Sequence, residues 1–417
     1  MTQFMGGMGG MGGMGGMGGM GGMGGNAAGV PSTPDWLLAT ALVSSRGALV
    51  DQPGGTREVV LPDMDSKDNI RHWAPSVRMH LALWQLLSNL DFSIEEDGSA
   101  RLHHLASPED RPQGEGAAVC RKRYEIVAVK RPDVDFFRAQ TKLVEDWAEL
   151  RDERTAEILA QLTPQFPFWN SVADLQLDRR AHTLELMWLA LSFASYVEMR
   201  FKHALACARP DAYSAKVQPI IPVPGHGSFP SGHATEAYMM AHLLENLLIN
   251  GNELRAQLQA LAERTSINRT VAGVHFPVDS MVGRCLGNTL AEYFLTMTGK
   301  CAFWRARTFD VEKLKIKQTD DFAQPKQLPK GEQVNYTMSA ADLERVHAVM
   351  WFWEQADAEW PKAGQMDVNR LAFDVGKAPA SSAPIDAGSS IAPGPGIGQG
   401  EAPVQSSYRK GNGRATA

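Results

Sequence analysis

The chain has 417 residues, a length that allows one large or two medium domains. Apolar and aromatic residues make up 44% of it and the mean hydropathy is −0.24, which predicts a soluble globular protein with an ample core. The formal net charge of −6 argues against general nucleic-acid binding.

Residues 1–33 form a glycine-rich segment with a Met-Gly-Gly repeat. This composition predicts a disordered tail. The tail has neither the charged start of a signal peptide nor an apolar run long enough to cross a membrane. No later stretch predicts a membrane span either, so we expect a cytoplasmic protein. Four cysteines without metal-ligand spacing are expected to be free thiols.

Residues 34–180 are expected to form a mainly helical N-terminal region that begins with an irregular lead-in. Apolar residues at helical spacing predict a core helix over Val77–Leu90. Residues 92–130 contain turn and strand signals, which predict a minor β-hairpin or a loop. The adjacent His103 and His104 are interpreted as surface histidines because further metal ligands are missing nearby.

The expected fold class is all-α, with a core helical bundle over residues 181–300. Hydrophobic spacing predicts four core helices, at Asp178–Ala206, His233–Ile249, Leu254–Thr265 and Asp279–Met297, and one or two earlier ones over Asp133–Leu162. Residues 301–375 are expected to form a C-terminal helical region on the core. Its tryptophans around position 351 either join the core or form a contact between copies in a homo-oligomer. Residues 376–417 predict a second disordered tail.

Three short motifs with tight internal spacing lie between positions 202 and 279. They are Lys202 ahead of Arg209-Pro210, then Pro230-Ser231-Gly232-His233, then Arg269 ahead of His275 and Asp279. A chance match at ten specified positions is very improbable, at about one in 20 per position. The rest of the chain is therefore interpreted as support for this stretch.

The residue types of the motifs predict a site for a tetrahedral oxoanion. Lys202, Arg209 and Arg269 would repel one another in a shared pocket unless a polyvalent anion neutralised them. Ser231 adds a hydroxyl group, and the N–H of Gly232 can approach an anion closely because no Cβ stands in the way.

Two histidines and a carboxylate complete this predicted site. One imidazole can bond to the centre of the anion, and the other can transfer protons near neutral pH. Asp279 lies four residues after His275, so a helical segment would let its carboxylate fix the tautomer of that ring. We expect the anion site at the centre of the core bundle, with His275 and His233 on opposite sides of the anion.

The three motifs resemble those of the superfamily that contains type-2 phosphatidic acid phosphatases, bacterial acid phosphatases and vanadium-dependent haloperoxidases. The resemblance covers residues from about 181 to 299. It implies that Lys202, Arg209, Ser231, Gly232 and Arg269 bind the oxoanion. It also implies that His275 is the phosphatase nucleophile or the axial ligand of vanadate, that His233 is the acid–base residue, and that Asp279 orients His275.

Two enzymatic activities stay open because both branches share the anion pocket. The first is a haloperoxidase with vanadate as cofactor, which uses hydrogen peroxide to oxidise a halide. The second is a cofactor-free acid phosphatase that hydrolyses phosphomonoesters through a phosphohistidine. The pair Asn268-Arg269 and the length of the chain resemble the haloperoxidase branch. His226, seven residues before His233, resembles bromoperoxidases and favours bromide over chloride. A non-catalytic phosphate-binding member is a third reading.

Overall fold

The structure, a computed structural model, describes seven stretches of the chain: residues 36–48, 58–106, 122–163, 165–248, 251–322, 332–333 and 346–360. All of them belong to one compact unit, Met1–Val375, and the second unit, Gly376–Ala417, contains no described residue. The tails expected at 1–33 and 376–417 lie outside the described residues. The other domain boundaries expected from the sequence stay predictions.

The elements alternate between helices and a few short strands. In chain order they are α1 (Trp36–Gly47), α2 (Pro75–Ser88), β1 (Leu90–Ile94), β2 (Ser99–Leu105), β3 (Arg123–Lys130), α3 (Val134–Trp147), α4 (Arg151–Ala160), α5 (Phe166–Asn170), α6 (Leu177–Leu205), α7 (Gly232–Leu247), α8 (Gly251–Val271), α9 (Pro277–Met297), β4 (Arg305–Phe309), β5 (Glu332–Gln333) and α10 (His347–Ala358). Short 3-10 turns occupy Lys67–His72, Ala148–Leu150 and Pro210–Ala212. None of the helices within the described stretches combines the length and apolarity that a bilayer crossing needs.

The protein is mostly helical, but it also contains a small five-stranded sheet. This sheet corrects the expectation of an all-α fold. The strands follow the order β1-β2-β3-β4-β5. The first two form the hairpin predicted within residues 92–130, and β3 pairs with β2 antiparallel. Parallel pairing of β3 with β4 sets Val127 opposite Arg307. The region after 300, predicted to be helical, therefore begins with a strand that completes a distant sheet.

Two further local expectations were wrong. The lead-in before position 62 contains the helix α1, although its side chains are exposed where they are described. His104 is only 2% exposed, and its Nδ1 lies 2.9 Å from the hydroxyl of Tyr293, with the ring of Trp304 also in contact. Strand alternation explains this burial, because successive residues of β2 point to opposite faces and His103 takes the more open one.

The long helix α6 crosses the core and carries the first motif at its end. Most of its residues from Thr183 onward are buried, as the apolar composition of this stretch predicts. A kink at Arg180 interrupts its start. The carboxylate of Glu359, just after α10, accepts hydrogen bonds from the backbone N–H groups of His182 and Thr183, each at 2.8 Å. Glu359 therefore caps the straight part of α6 from a distant position in the chain.

Helices α7 and α9 approach each other closely at two glycines. A Cβ added at Gly283 would lie 2.7 Å from the Cβ of Ala234, and one at Gly287 would lie 2.4 Å from the carbonyl oxygen of Thr235. No side chain fits at such distances. The two helices also have the most extensive contact of any element pair described. This close approach brings the second motif, at the start of α7, against the third, at the start of α9.

Candidate active site

The end of α6 places Lys202 in the interior, where it is 2% exposed. Ala206 ends the helix in the left-handed region, with φ of 49°. The ammonium group of Lys202 donates hydrogen bonds to three carbonyl groups of the loop before α7, those of Gly227, Ser228 and Pro230. Burial, together with the positive charge of Arg209, lowers the pKa of Lys202 to about 8.

Arg209 joins the first motif to the third. Its Nη1 donates to the carbonyl oxygen of Val274 at 2.7 Å and lies 3.4 Å from Nε2 of His275. Its Nε donates to the carbonyl oxygen of His226 at 3.0 Å. The guanidinium group is therefore fixed by backbone acceptors, which leaves its charge available to an anion. Burial lowers the pKa of Arg209 to about 10, so it stays cationic at neutral pH.

The N-terminus of α7 supplies the second motif. Ser231 is the N-cap residue, and its hydroxyl accepts a hydrogen bond from the N–H of Ala234 at 3.4 Å. Its own N–H donates to the carbonyl oxygen of Asp279 at 2.9 Å. Gly232 is the first residue of α7, so its N–H has no acceptor within the helix. The positive end of the helix dipole adds to the preference of this place for an anion.

His275 and Asp279 interact as the four-residue spacing predicts. Nδ1 of His275 lies 2.9 Å from Oδ2 of Asp279, and the same oxygen accepts from the N–H of Phe276 at 3.0 Å. Burial lowers the pKa of His275 well below its ordinary value, and the charges of Arg209 and Lys202 act in the same direction. The ring is therefore neutral, donates through Nδ1, and keeps a lone pair on Nε2. That nitrogen is the one beside Arg209.

His233 and Arg269 meet at Gln161, the residue that follows α4. Nε2 of His233 lies 2.9 Å from the carbonyl oxygen of Gln161, and Nη1 of Arg269 lies 3.4 Å from the same nitrogen. The side-chain oxygen of Gln161 accepts from Nη2 of Arg269 at 2.9 Å. A carbonyl can only accept, so Nε2 of His233 carries the hydrogen and Nδ1 keeps the lone pair. Burial and the charge of Arg269 lower the pKa of His233 to about 3.

His226 lies beside Arg209 in the loop before α7. Its Nδ1 is 3.3 Å from Nη2 of Arg209 and 3.2 Å from the carbonyl oxygen of Gly227. The side chain is half-buried. Burial is the main cause that lowers the pKa of His226 to about 4, and the positive charges of Lys202 and Arg209 contribute to this shift. The structure therefore places His226 at the edge of the cationic cluster.

A chain of contacts connects all nine residues singled out in the sequence. The three cations, the two histidines of the motifs, Asp279 and the start of α7 are almost fully buried, with exposed fractions between 0% and 8%. Lys202 and Arg209 each lower the pKa of both His275 and His233, which places the four groups in one electrostatic neighbourhood. Such a buried cluster can bind a small oxoanion and present two neutral imidazoles to it.

Two residues next to the cationic cluster, Gln161 and Glu198, were not identified from the sequence. Gln161 lies 41 positions before Lys202, and no spacing rule links it to the motifs. Glu198 lies one helical turn before Lys202, so its i+4 relation could have revealed it. Asn268 was noted beside Arg269, but its amide donates to Glu157 at 2.8 Å and to Gln161 at 3.0 Å. It therefore holds α4 against α8.

Comparison with known families gives one match. Residues 185–302 match the family described as the PAP2 superfamily, so the chain contains a PAP2 superfamily domain over this stretch. The matched residues include all three motifs, from Lys202 to Asp279. Membership fits phosphatase or haloperoxidase activity. No curated protein matches the chain.

Proposed function

We propose that this protein is a vanadium-dependent haloperoxidase that uses hydrogen peroxide to oxidise bromide. The burial of the cationic cluster is the observation that supports this activity over ester hydrolysis. His275 is 4% exposed and His233 is 8% exposed. A site with so little open surface suits reactants as small as peroxide and halide, whereas a phosphomonoester must also bring its leaving group to the same histidines.

The donor set suits vanadate as the cofactor. The lone pair of Nε2 on His275 supplies a ligand for the metal, and the guanidinium and ammonium groups match the charge of a tetrahedral oxoanion. Nε of Arg269 is buried and has no hydrogen-bond partner among the described residues, so an oxoanion would satisfy it. When bound, vanadate supplies a Lewis-acidic centre that activates peroxide for attack by halide.

The side chains of the protein would each perform a separate task. Asp279 holds His275 in the tautomer that presents Nε2 to the anion. Lys202, Arg209 and Arg269 offset the negative charge of the oxoanion. His233 presents Nδ1, the nitrogen that can take up or return a proton, because Gln161 holds the opposite nitrogen. An anion beside His233 would raise its pKa from the low value of the cationic pocket.

The contact of His226 with Arg209 supports bromide as the halide. An imidazole beside an anion-binding guanidinium can exchange protons with a bound reactant, as the resemblance to bromoperoxidases implies. We expect His226→Ala to lower bromide oxidation while leaving binding of the oxoanion intact, because the cations of the pocket remain in place.

One paired assay tests the proposed function. Bromide oxidation by peroxide is measured with and without added vanadate, and hydrolysis of an aryl phosphate is measured on the metal-free protein. We expect bromination that depends on vanadate. Phosphate release that vanadate inhibits, without bromination, would instead identify an acid phosphatase of the same superfamily.

A matched pair of variants tests the role of His275. We expect His275→Ala to abolish turnover, because the two other imidazoles of the cluster, those of His226 and His233, are held by backbone carbonyl groups rather than by a carboxylate. His203→Ala, which removes an exposed histidine from the same helix as Lys202, should retain full activity. Substantial turnover by the His275 variant would show that the assignment is incorrect.

A further inference from the structure

A buried carboxyl group lies directly behind the anion pocket, and the proposed reaction does not use it. Glu198 is on α6, one turn before Lys202, and is 0% exposed. No donor among the described residues reaches either of its carboxyl oxygens. A carboxylate that is buried without a partner is strongly unfavourable, so this position requires a physical reason.

The carboxyl group of Glu198 packs against the turn that is expected to hold the anion. A Cβ added at Gly232 would lie 2.5 Å from Oε1 and 3.0 Å from Cδ of Glu198. The glycine therefore serves two purposes, since it frees an N–H for the anion and makes room for this carboxyl group. Lys202 does not donate to either carboxyl oxygen of Glu198, because its ammonium group donates to the loop carbonyl groups instead.

Charged groups from three elements face this carboxyl group. Lys202 lies on the same helix, Arg209 on the loop that follows it, and Glu236 on α7. Burial raises the pKa of Glu198 to about 7, although both cations oppose the change. Burial also raises the pKa of the partly buried Glu236 well above its ordinary value, and the neighbouring Glu198 adds to that rise. Both carboxyl groups therefore hold protons more strongly than exposed ones.

We propose that Glu198 is a further determinant of oxoanion binding. When Glu198 is protonated, the pocket keeps its full positive charge. When Glu198 is ionised, its negative charge offsets the charge of Lys202. The idea rests on the proposed function only in that it needs the same anion pocket. Ionisation of Glu198 places a negative charge one helical turn from Lys202 and against Gly232, so the anion would be repelled. Affinity for an oxoanion should therefore fall as the pH rises through about 7.

Asp279 and Lys202 titrate in the same pH range, because burial raises the pKa of Asp279 to about 7 and lowers the pKa of Lys202 to about 8. The pH dependence of the wild-type protein therefore contains contributions from Glu198, Asp279 and Lys202. Removing the charge of Glu198 alone separates them. The variant Glu198→Gln is nearly isosteric and cannot ionise, so the share that belongs to Glu198 should disappear from its pH profile.

The experiment measures the dissociation constant of molybdate by calorimetry from about pH 6 to about pH 9, a range in which this tetrahedral dianion does not itself titrate. At the acid end, the wild-type protein and Glu198→Gln should bind equally. Between about pH 7 and pH 8, where Glu198 ionises in the wild type while Lys202 still carries its charge, the variant should bind up to roughly tenfold more tightly. Glu245→Gln is the matched control. It removes another buried carboxyl group, one that lies on α7 and accepts a hydrogen bond from Gln259. The pH profile of its molybdate affinity should follow that of the wild type.

The outcomes separate this inference from the proposed function. Equal affinities of wild type and Glu198→Gln at every pH would overturn the inference while leaving the pocket intact. Absence of molybdate binding to the wild-type protein would overturn both. If Glu198→Gln does not fold, Glu198→Met, an unbranched side chain of similar length, gives the same comparison. A tighter complex of either variant between about pH 7 and pH 8, independent of any bromination result, supports the inference.

Discussion

Gln161 offers the sharpest test of how the site is held together. Its side-chain oxygen accepts hydrogen bonds from Arg269 and Asn268, at 2.9 and 3.0 Å. Arg269 is 1% exposed, and its Nη2 donates to Gln161 and to the carbonyl oxygen of Ile158 at 3.3 Å. The variant Gln161→Leu keeps the size of the side chain but leaves a buried guanidinium N–H unpaired, which costs about 2–3 kcal/mol. The midpoint of thermal unfolding should fall by about 3–5 °C.

A second substitution at the same position separates stability from binding. Gln161→Glu retains the acceptor for Arg269 but replaces the amide that donates to Glu157 at 3.2 Å, so it should lose less stability than Gln161→Leu without matching the wild type. The negative charge added beside Arg269 should weaken oxoanion binding by at least about tenfold. Calorimetric unfolding and molybdate titration measure the two effects. Gln165→Leu, at a nearby glutamine that is 8% exposed, is the control. Wild-type stability in Gln161→Leu together with wild-type affinity in Gln161→Glu would refute this account of Arg269.

Three other substitutions test separate parts of the structure. Gly287→Ala should destabilise the protein by about 1–3 kcal/mol in urea unfolding, because its Cβ would meet the carbonyl oxygen of Thr235, whereas Gly225→Ala has open space and should be neutral. Asp279→Ala should lower vanadate affinity by about 10- to 100-fold in equilibrium dialysis; unchanged affinity would exclude an orienting role. His233 has a pKa of about 3 when folded and about 6.5 when unfolded, so the free energy of unfolding falls on acidification between these values. His233→Gln should reduce that slope by up to about 1.4 kcal/mol per pH unit, and an unchanged slope would contradict the burial of a neutral ring.

Local sequence patterns predicted most of the helices that carry the site. The spacing of apolar residues placed α6, α7 and α9 within a few residues of their observed ends. The predicted start of the earlier helices at Asp133 also agrees with the structure, because this residue is the N-cap of α3 and its carboxylate accepts from the N–H of Phe136 at 2.7 Å. These features depend on neighbours within one or two turns, so the sequence contains all the information they need. The helix α8 runs farther than predicted and includes Arg269, because burial against other helices stabilises its last turns.

The parts that the sequence did not reveal depend on contacts between distant residues. The residues around Arg307 do not by themselves predict a strand that pairs with Val127, because β3, the partner strand, supplies half of the hydrogen bonds. Glu359 caps α6 from a position near the end of the described chain, and no local motif predicts that contact. Gln161 lies before the stretch that matches the PAP2 superfamily, so the family resemblance did not point to it either.

The sequence by itself determined which side chains are candidates for an oxoanion site, because residue types and short spacings can be read directly from it. It fixed the i+4 relation of His275 to Asp279, which the helical geometry then realised at 2.9 Å. Only the tertiary structure decided how deeply the cluster is buried and which groups contact each side chain. Burial depends on the whole fold and sets the pKa of Glu198, and the distant carbonyl group of Gln161 sets the tautomer of His233. Those two properties govern whether the predicted residues can act together on an anion.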